Sequence, residues 1–546
     1  MENLQGPDHR MTGKLYRLFD RAADFLERHS RLAAFALLAF VFLCALAQAS
    51  GKPFWYDELC TYLSAALPGW SGVWNFYATG VDIPSPLPSL IAHAMLHFSS
   101  NPELVARLPF MLAFCVMCLC MFVFMRRRYP AGYALTVLLA PVSLPFFFFY
   151  SSELRAYALV LASAGLAMVC WQRGVQPSSH RAVTNWSLFG LWFALAFAIC
   201  AHPFAIFLLV PFALAQLAAD LQRKKPEFRV WIALLLSPLG VLPILHGEML
   251  ASRSYRGTFF SRPGWHMVRE TSGLLLSPIA VCGAMLLFSI LVLVMSRKNT
   301  PPGGSSPQSG LTWPETVFAI SLALMPAYMM LACIPLGVYR APYVLSALIG
   351  IVLCIVAALA ELSNRQASLG AALLVALLLA ISVRVGSFRW HALAHPTRVH
   401  ANFIREYDRQ AWVKTVAASS LPVTIADPEL YVQARYYWPA ALQQRLWYPT
   451  SVAMFPRYPG SVTAQLTIMH TGKYFDLHTM DWAAFSARHP HFLLVTGSPQ
   501  DAWLDSYLTH LSSSRVRIEL LGSSFGAPAV YDVQLLNPAA PQLSMK

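Results

Sequence analysis

Residues 108–157 read LPFMLAFCVMCLCMFVFMRRRYPAGYALTVLLAPVSLPFFFFYSSELRAY, and this stretch decides the class of fold. It holds two long uncharged runs, 108–125 and 131–149, which the arginine triplet Arg126–Arg128 separates. A helix crosses the hydrocarbon core of a bilayer with roughly 17–25 mostly apolar residues. Because both runs are of about that length, the stretch predicts two membrane-spanning helices joined by a short basic loop.

The composition of the whole chain agrees with this prediction. Of 546 residues, 57% are hydrophobic and 12% are charged, whereas soluble domains average roughly 45–50% apolar and 25% charged residues. A disordered chain and a purely soluble enzyme are both excluded. The 40 Lys and Arg exceed the 26 Asp and Glu by 14. In a membrane protein such an excess indicates cytoplasmic loops and anionic lipids as partners, so we expect no nucleic acid partner.

Similar uncharged runs recur along the chain and predict about eleven spans. The predicted spans are 32–50, 108–125, 131–149, 156–171, 186–201, 203–219, 230–245, 273–296, 316–336, 341–360 and 367–383. Alternation places most of the basic loops on one side, which the positive-inside rule identifies as cytoplasmic. An odd number of spans then places the C-terminus outside. The sequence therefore predicts a multi-pass protein of the inner or plasma membrane.

Four parts follow from this topology. Residues 1–31 form a basic cytoplasmic N-terminus, and residues 32–386 form the transmembrane domain. Within it, residues 51–107 form a long outer loop with interfacial helices. The apolar stretch 84–98 is short and rich in proline, so we expect it to lie in the outer interface and not to span. Residues 387–546 lack a spanning run and form an exported domain.

The exported domain alternates predicted strands and helices, which is typical of an α/β fold. We expect strands at 423–426, 445–448, 491–496, 515–521 and 530–535, and a looser stretch between the second and third. The predicted fold class is therefore an α-helical polytopic membrane protein with a C-terminal exported α/β domain.

Ionisable residues recur at the predicted outer ends of the spans. The candidate site residues are Asp57, Glu58, Glu153, Arg155, Tyr157, His202, Arg256, Tyr339 and Arg340. Two of these positions have an alternative interpretation. Asp57 and Glu58 are also suited to cap a short interfacial helix, and His202 also fits an interface histidine. Glu153 and Tyr157, four residues apart, are predicted to share a helix face, with Arg155 pointing elsewhere.

Carboxylates and arginines at one level of the bilayer suit a site for an anionic, lipid-linked molecule. Arginine pairs bidentately with phosphate, and a nearby carboxylate can take a proton from a nucleophile. A transporter would place such groups near the bilayer midplane, but the centres of these spans are almost free of charge.

These residues also carry a family resemblance over roughly residues 30–390. The chain resembles the polytopic GT-C glycosyltransferases, in the branch that includes protein O-mannosyltransferases and the aminoarabinose transferase of lipid A. The matching sequences are Asp57-Glu58, Pro84–Pro88, Ala106–Pro109, Ser152–Tyr157 and Tyr339-Arg340. The resemblance implies a GT-C fold, a polyprenyl-phosphate-linked sugar as donor, use of that donor on the non-cytoplasmic face, and inversion at the anomeric carbon.

The resemblance also implies roles for these residues. Asp57 is the expected general base, and Glu58 or Glu153 orients it or binds sugar hydroxyls. Arg340, with Arg155 or an arginine of 246–272 such as Arg256, is expected to hold the leaving phosphate, beside Tyr157, His202 and Tyr339. No cofactor is required, although a divalent cation could bind Asp57 and Glu153. Glu153 stands where the lipid A enzyme is expected to have an aspartate, which leaves the donor sugar open.

Two other classes of protein stay open at this stage. A transporter or flippase for lipid-linked sugars would move the donor across the membrane without transfer. An assembly scaffold with an exported binding domain would need neither Arg155 nor Arg340 at the outer face. The acceptor of a glycosyltransferase could be a lipid, a glycan or a protein.

Overall fold

The computed structural model of the protein divides into two compact units. The first comprises Met1–Ser50, Leu104–Ile244 and Pro263–Arg389, and the second comprises Gly51–Glu103, Leu245–Arg262 and Trp390–Lys546. The structure describes residues 8–50, 52–81, 85–175, 181–255, 264–276, 310–394, 411–455, 457–458, 462–496, 503–523 and 528–536.

The first unit is helical throughout its described residues. Its α-helices are Asp8–Arg28, Ser30–Ala49, Leu108–Arg126, Ala131–Ser143, Pro145–Phe149, Tyr157–Val175, Arg181–Ala201, Leu209–Arg223, Phe228–Leu236, Trp265–Leu276, Trp313–Ala323, Met325–Cys333, Ala347–Leu362 and Ala367–Ala394. Short 3-10 turns cover Tyr150–Ser152, Pro203–Leu208, Ser237–Val241 and Ala341–Val344. The four-residue helix Pro102–Val105 precedes the helix Leu108–Arg126.

Four of these segments are long and apolar enough to cross a membrane as single helices, namely Ser30–Ala49, Pro102–Arg126, Tyr157–Val175 and Pro203–Arg223. Other predicted spans correspond to shorter apolar helices or to bent pairs. The predicted span 273–296 lies mostly outside the described residues. The chain is therefore a polytopic helical membrane protein, and the count of eleven spans stays a prediction.

A sharp bend interrupts the predicted span 131–149. The helix Ala131–Ser143 ends at Leu144, whose backbone is extended at φ −93° and ψ 105°. The chain then turns by 75° into the segment Pro145–Ser152. Pro141 and Pro145 flank the break, and proline supplies no backbone N–H for the helical ladder. The bend redirects the aromatic run before Glu153, so that Glu153 does not continue the axis of the span.

At the other end of these helices, the arginine triplet is bound by side chains of neighbouring helices. Arg126 pairs with Glu27 at 2.6 Å, and Arg128 pairs with Glu315 at 2.9 Å. Arg127 donates to the carboxamide oxygen of Gln172 at 3.2 Å. The triplet that predicts the topology also ties several helices of the first unit together.

The second unit combines a six-stranded sheet with helices. The strands are β1 Val423–Ile425, β2 Leu446–Thr450, β3 Thr479–Asp481, β4 His491–Thr496, β5 Val516–Gly522 and β6 Ala529–Leu535. They lie in the order β3-β2-β1-β4-β6-β5. The first four in that order are mutually parallel, and β6 and β5 add antiparallel pairs. A fold class with a C-terminal α/β domain is confirmed.

The stretch predicted to be loose is in fact regular. It contains the helix Val462–Thr471, the strand β3 and the helix Trp482–Arg488. The remaining helices of this region are Ala411–Ala418, Pro428–Tyr437, Ala440–Gln443 and Trp503–Thr509. β3 is only three residues long, and such a short run carries no readable period in the sequence.

The segment Gly51–Glu103 contributes three short helices to the second unit, Tyr56–Ala65, Gly69–Ala78 and Pro86–Leu96, and the segment Leu245–Arg262 adds Leu245–Ser254. The Pro86–Leu96 helix is 11 residues long, which is too short to span a bilayer. Its Ser89 hydroxyl lies 2.7 Å from that of Ser64. His93 Nδ1 lies 2.7 Å from the carbonyl oxygen of Ala65. These contacts tie it to the helix that carries Asp57.

Candidate functional site

Asp57 and Glu58 open the helix Tyr56–Ala65 in the second unit. Glu58 is buried, and its carboxylate accepts the backbone N–H of Trp55 at 3.4 Å. Asp57 is half-buried. Consecutive helical residues point about 100° apart, so the two carboxylates face different surroundings. Glu58 therefore caps this helix, as the alternative interpretation of the pair allowed, and both acids lie in its first turn.

Glu153 belongs to the first unit and is fully buried. It follows the 3-10 turn Tyr150–Ser152 with an extended backbone, φ −87° and ψ 137°. The next helix begins at Tyr157. The prediction that Glu153 and Tyr157 share one helix face is therefore wrong, because Glu153 lies outside the helix. The backbone N–H of Arg155 donates to the carbonyl of Glu153 at 2.8 Å and closes a tight bend.

A glutamine of the first span fixes this bend. The carboxamide of Gln48 donates to the carbonyl oxygen of Phe149 at 3.2 Å and to the hydroxyl of Ser152 at 3.1 Å. Ser152 is fully buried. Because both acceptors lie immediately before Glu153, Gln48 holds the segment that presents the buried carboxylate.

An aromatic group surrounds His202 at the start of the 3-10 turn Pro203–Leu208. Its ring centroid lies 5.8 Å from that of Tyr157, 5.8 Å from that of Phe204 and 4.9 Å from that of Tyr343. The rings of Phe204 and Tyr343 stack at 4.7 Å. Tyr157, His202 and Tyr343 line a cleft of about 310 Å³, including the space that opens to solvent.

The surroundings of His202 decide its charge. Burial among the rings, and secondarily the positive charge of Arg155, lower the pKa of His202 to about 3 from an ordinary 6.5. The imidazole is therefore neutral near pH 7. It can donate or accept one hydrogen bond, but any cation for a phosphate must come from an arginine. Arg155 precedes Tyr157 by two residues, and the ring of Tyr157 lies beside that of His202.

Tyr339 and Arg340 lie in the connection before the turn Ala341–Val344. Tyr339 is fully buried, whereas Arg340 is exposed. The carbonyl of Arg340 accepts the backbone N–H of Tyr343 at 3.1 Å, so Arg340 belongs to the turn whose tyrosine touches His202. The structure thus brings together Arg155, Tyr157 and His202 with the turn after Arg340. Arg256 lies outside the described residues.

Tyr343, Phe204 and Gln48, which contact this group or the segment before Glu153, were not among the predicted site residues. Tyr343 follows Arg340 by three residues, and its position in the sequence YRAPY was the available signal. Gln48 is the one amide in the predicted span 32–50, which also singles it out. Arg107, in the sequence Ala106–Pro109, is an arginine with no exposed surface.

Among the described residues, no three His, Cys, Asp or Glu side chains are grouped as a metal centre requires.

A polytopic helical body followed by a sheet-containing C-terminal region is the fold of a solved membrane glycosyltransferase of GT-C type. The crystal structure of ArnT from Cupriavidus metallidurans bound to undecaprenyl phosphate covers 94% of this chain and 99% of its own, with a TM-score of 0.53 and 12% identity. The apo structure of the same protein covers equal shares, with a TM-score of 0.41 and 13% identity.

At such identities the likeness establishes the fold. The fold that the resemblance implied, the ArnT-like GT-C fold, is therefore confirmed. No protein-family model matches the sequence, and no curated protein matches it.

Proposed function

We propose that this protein is an inverting glycosyltransferase that moves a sugar from a polyprenyl-phosphate donor to a lipid, glycan or protein acceptor. The observation that carries the proposal is the fold shared with ArnT, which was crystallised with undecaprenyl phosphate. The half-buried Asp57, and the group of Arg155, Tyr157 and His202, supply the residue types that this reaction needs. The reaction takes place on the non-cytoplasmic face, with the N-terminus cytoplasmic and the C-terminal domain exported.

The proposed step is a single displacement at the anomeric carbon of the sugar. The acceptor oxygen forms a bond to that carbon while the bond from carbon to the phosphate oxygen breaks with its electron pair. The acceptor proton passes to the carboxylate of Asp57. Since the polyprenyl phosphate leaves as a stable anion, no general acid is needed, in contrast to glycoside hydrolysis with its two carboxyl groups. Positioning and charge stabilisation are then the main contributions of the protein.

The phosphate of the donor requires cationic partners. In this proposal Arg340 and Arg155 hold it, because His202 is neutral at physiological pH. Tyr157, Tyr343 and His202 form an aromatic wall beside these arginines. Such a wall excludes water, and a charged hydrogen bond is stronger in a drier site. The reaction as proposed requires no metal, and a loss of transfer in the presence of a chelator that added divalent ions reverse would contradict this part of the proposal.

The test is transfer from a defined donor in proteoliposomes. Protein is reconstituted with undecaprenyl-phosphate sugars, and sugar transfer to envelope acceptors is followed together with donor movement between leaflets. We expect Asp57→Asn to lower transfer by roughly 10²- to 10⁴-fold, the contribution of a general base, with donor binding and thermal midpoint retained. Glu519→Gln, which changes an exposed carboxylate of β5, serves as control and leaves transfer unchanged.

Two outcomes would contradict the proposal. Full transfer by Asp57→Asn would remove that residue as the base. Movement of donor between leaflets without transfer by the wild type would instead identify a flippase. The spans that the structure describes do not favour this alternative, because their centres hold almost no charged residues and transporters place coupling groups there.

A further inference from the structure

The exported domain presents two adjacent tyrosines toward the segment that carries Asp57, and both groups belong to the second unit. Tyr436 and Tyr437 end the helix Pro428–Tyr437, and their ring centroids lie 4.7 Å apart, edge to face. Earlier on the same helix, Tyr431 is fully buried, and its ring centroid lies 4.9 Å from that of Tyr448. Tyr431 thus belongs to the core of the domain, whereas Tyr436 and Tyr437 are only partly buried and reach beyond it.

The hydroxyl of Tyr437 binds the chain just before the Asp57 helix. It accepts the backbone N–H of Phe54 at 2.6 Å and lies 3.4 Å from a carboxylate oxygen of Glu103, to which it donates. Phe54 is fully buried. A buried N–H without an acceptor costs about 1–3 kcal/mol, so this one hydroxyl fixes the backbone three residues before Asp57.

Tyr436 contacts the helix Tyr56–Ala65 itself, at a residue that follows Asp57 and Glu58 in the sequence. Its ring packs edge-on against that of Tyr62, with 5.4 Å between the ring centroids. The ring of Tyr62 in turn stacks on that of Phe54, with 5.0 Å between the centroids. Burial, followed by a hydrogen bond with the Tyr62 hydroxyl, raises the pKa of Tyr436. The phenol therefore stays protonated and available for that bond. Phe54 and Tyr62 lie on either side of Asp57 and Glu58 in the sequence, and both are held by the end of one helix.

We infer that Tyr437, supported by Tyr436, is a positioning residue through which the exported domain sets the geometry of Asp57. The inference rests on the proposed function, in which Asp57 is the general base. A base must lie within hydrogen-bond reach of the proton it accepts, and a misplacement of 1 Å can cost about 100-fold in rate. The exported domain thereby acts on the chemical step and not only on the acceptor.

The experiment compares Tyr437→Phe with Tyr431→Phe, a matched loss of one hydroxyl from the same helix. Hydrogen exchange of the peptide spanning residues 52–60 measures the bond to Phe54 without reference to activity. We expect Tyr437→Phe to speed exchange of the Phe54 amide by roughly tenfold. We also expect kcat to fall roughly tenfold with KM for the donor and the thermal midpoint unchanged. Tyr431→Phe should change neither exchange nor kcat.

Unchanged exchange at Phe54 would overturn the inference, since the hydroxyl would then not hold the backbone. Faster exchange with an unchanged kcat would overturn the positioning role. The proposed function is tested separately, by the sugar transfer of the wild type and of Asp57→Asn. If the wild type transfers sugar and Asp57→Asn does not, full activity of Tyr437→Phe refutes this inference alone.

Discussion

Replacing Glu315 with glutamine should strongly destabilise the membrane domain. The carboxylate begins the helix Trp313–Ala323, and its side chain is 3% exposed. One oxygen accepts Arg128 Nε at 3.1 Å, Arg128 Nη2 at 3.0 Å and Gln172 Nε2 at 2.7 Å. The other accepts the backbone N–H of Thr312 at 2.8 Å and its hydroxyl at 2.9 Å. Five donors therefore converge on one buried group.

The expected loss follows from what glutamine can still accept. Its carboxamide oxygen can replace one carboxylate oxygen, but its NH₂ group faces donors at the other position. The backbone N–H of Thr312 then loses its acceptor, whereas the Thr312 hydroxyl can rotate to accept from the NH₂ group. Arg128 loses its counter-charge. Removing one partner of a buried ion pair costs about 3–5 kcal/mol, and Arg128 is itself 17% exposed. We therefore expect a loss of unfolding free energy at the lower end of this range, about 3 kcal/mol.

The assay is equilibrium unfolding in mixed micelles for the wild type, Glu315→Gln, Arg128→Met and the double variant. A coupling energy above about 1.5 kcal/mol is expected, because both residues lose the same interaction. Glu519→Gln is the control, since its pair with Arg517 is exposed and 3.8 Å long and should contribute under 1 kcal/mol. A loss below about 1 kcal/mol for Glu315→Gln, or additive single losses, would refute the reasoning.

Two further predictions concern the site. Because the pKa of His202 is lowered to about 3, the unfolded chain binds more protons between that pH and 6.5, so stability falls as pH drops through this range. His202→Asn should show a thermal midpoint that falls less than that of the wild type between pH 6.5 and 4, and parallel curves would contradict this. Arg340→Ala should weaken donor binding about tenfold by loss of a charged hydrogen bond, measured by titration with undecaprenyl phosphate. Arg517→Ala is the exposed control, and an unchanged affinity for Arg340→Ala would remove that residue from the site.

The transmembrane helices were predictable because their signal is local. An uncharged run of sufficient length specifies a helix in lipid wherever it occurs, since backbone groups must bond internally there. The residues around Glu153 were harder to predict. Gln48, about a hundred residues earlier, binds the carbonyl of Phe149 and the hydroxyl of Ser152, and no local spacing shows that contact. Glu153 follows a 3-10 turn and the next helix begins only at Tyr157, so spacing alone predicted the wrong face.

The aromatic surroundings of His202 could not be derived from spacing. Tyr343 and His202 meet only after the intervening helices have packed, and no local period records that contact. The same holds for the tyrosines of the helix Pro428–Tyr437. Tyr431 is a core residue, but Tyr437 binds the backbone of Phe54, far away in sequence. Long-range partners of this kind are specified by topology and not by composition.

The division of the chain limits which chimeric proteins can be built from this fold. Removing residues after 386 appears from the sequence to be a clean deletion of one domain. The compact unit, however, is assembled from Gly51–Glu103, Leu245–Arg262 and Trp390–Lys546. A truncated chain would expose Phe54 and leave its N–H without the Tyr437 hydroxyl. A graft of this unit must therefore transplant all three segments together, and a C-terminal swap alone should yield a misassembled protein.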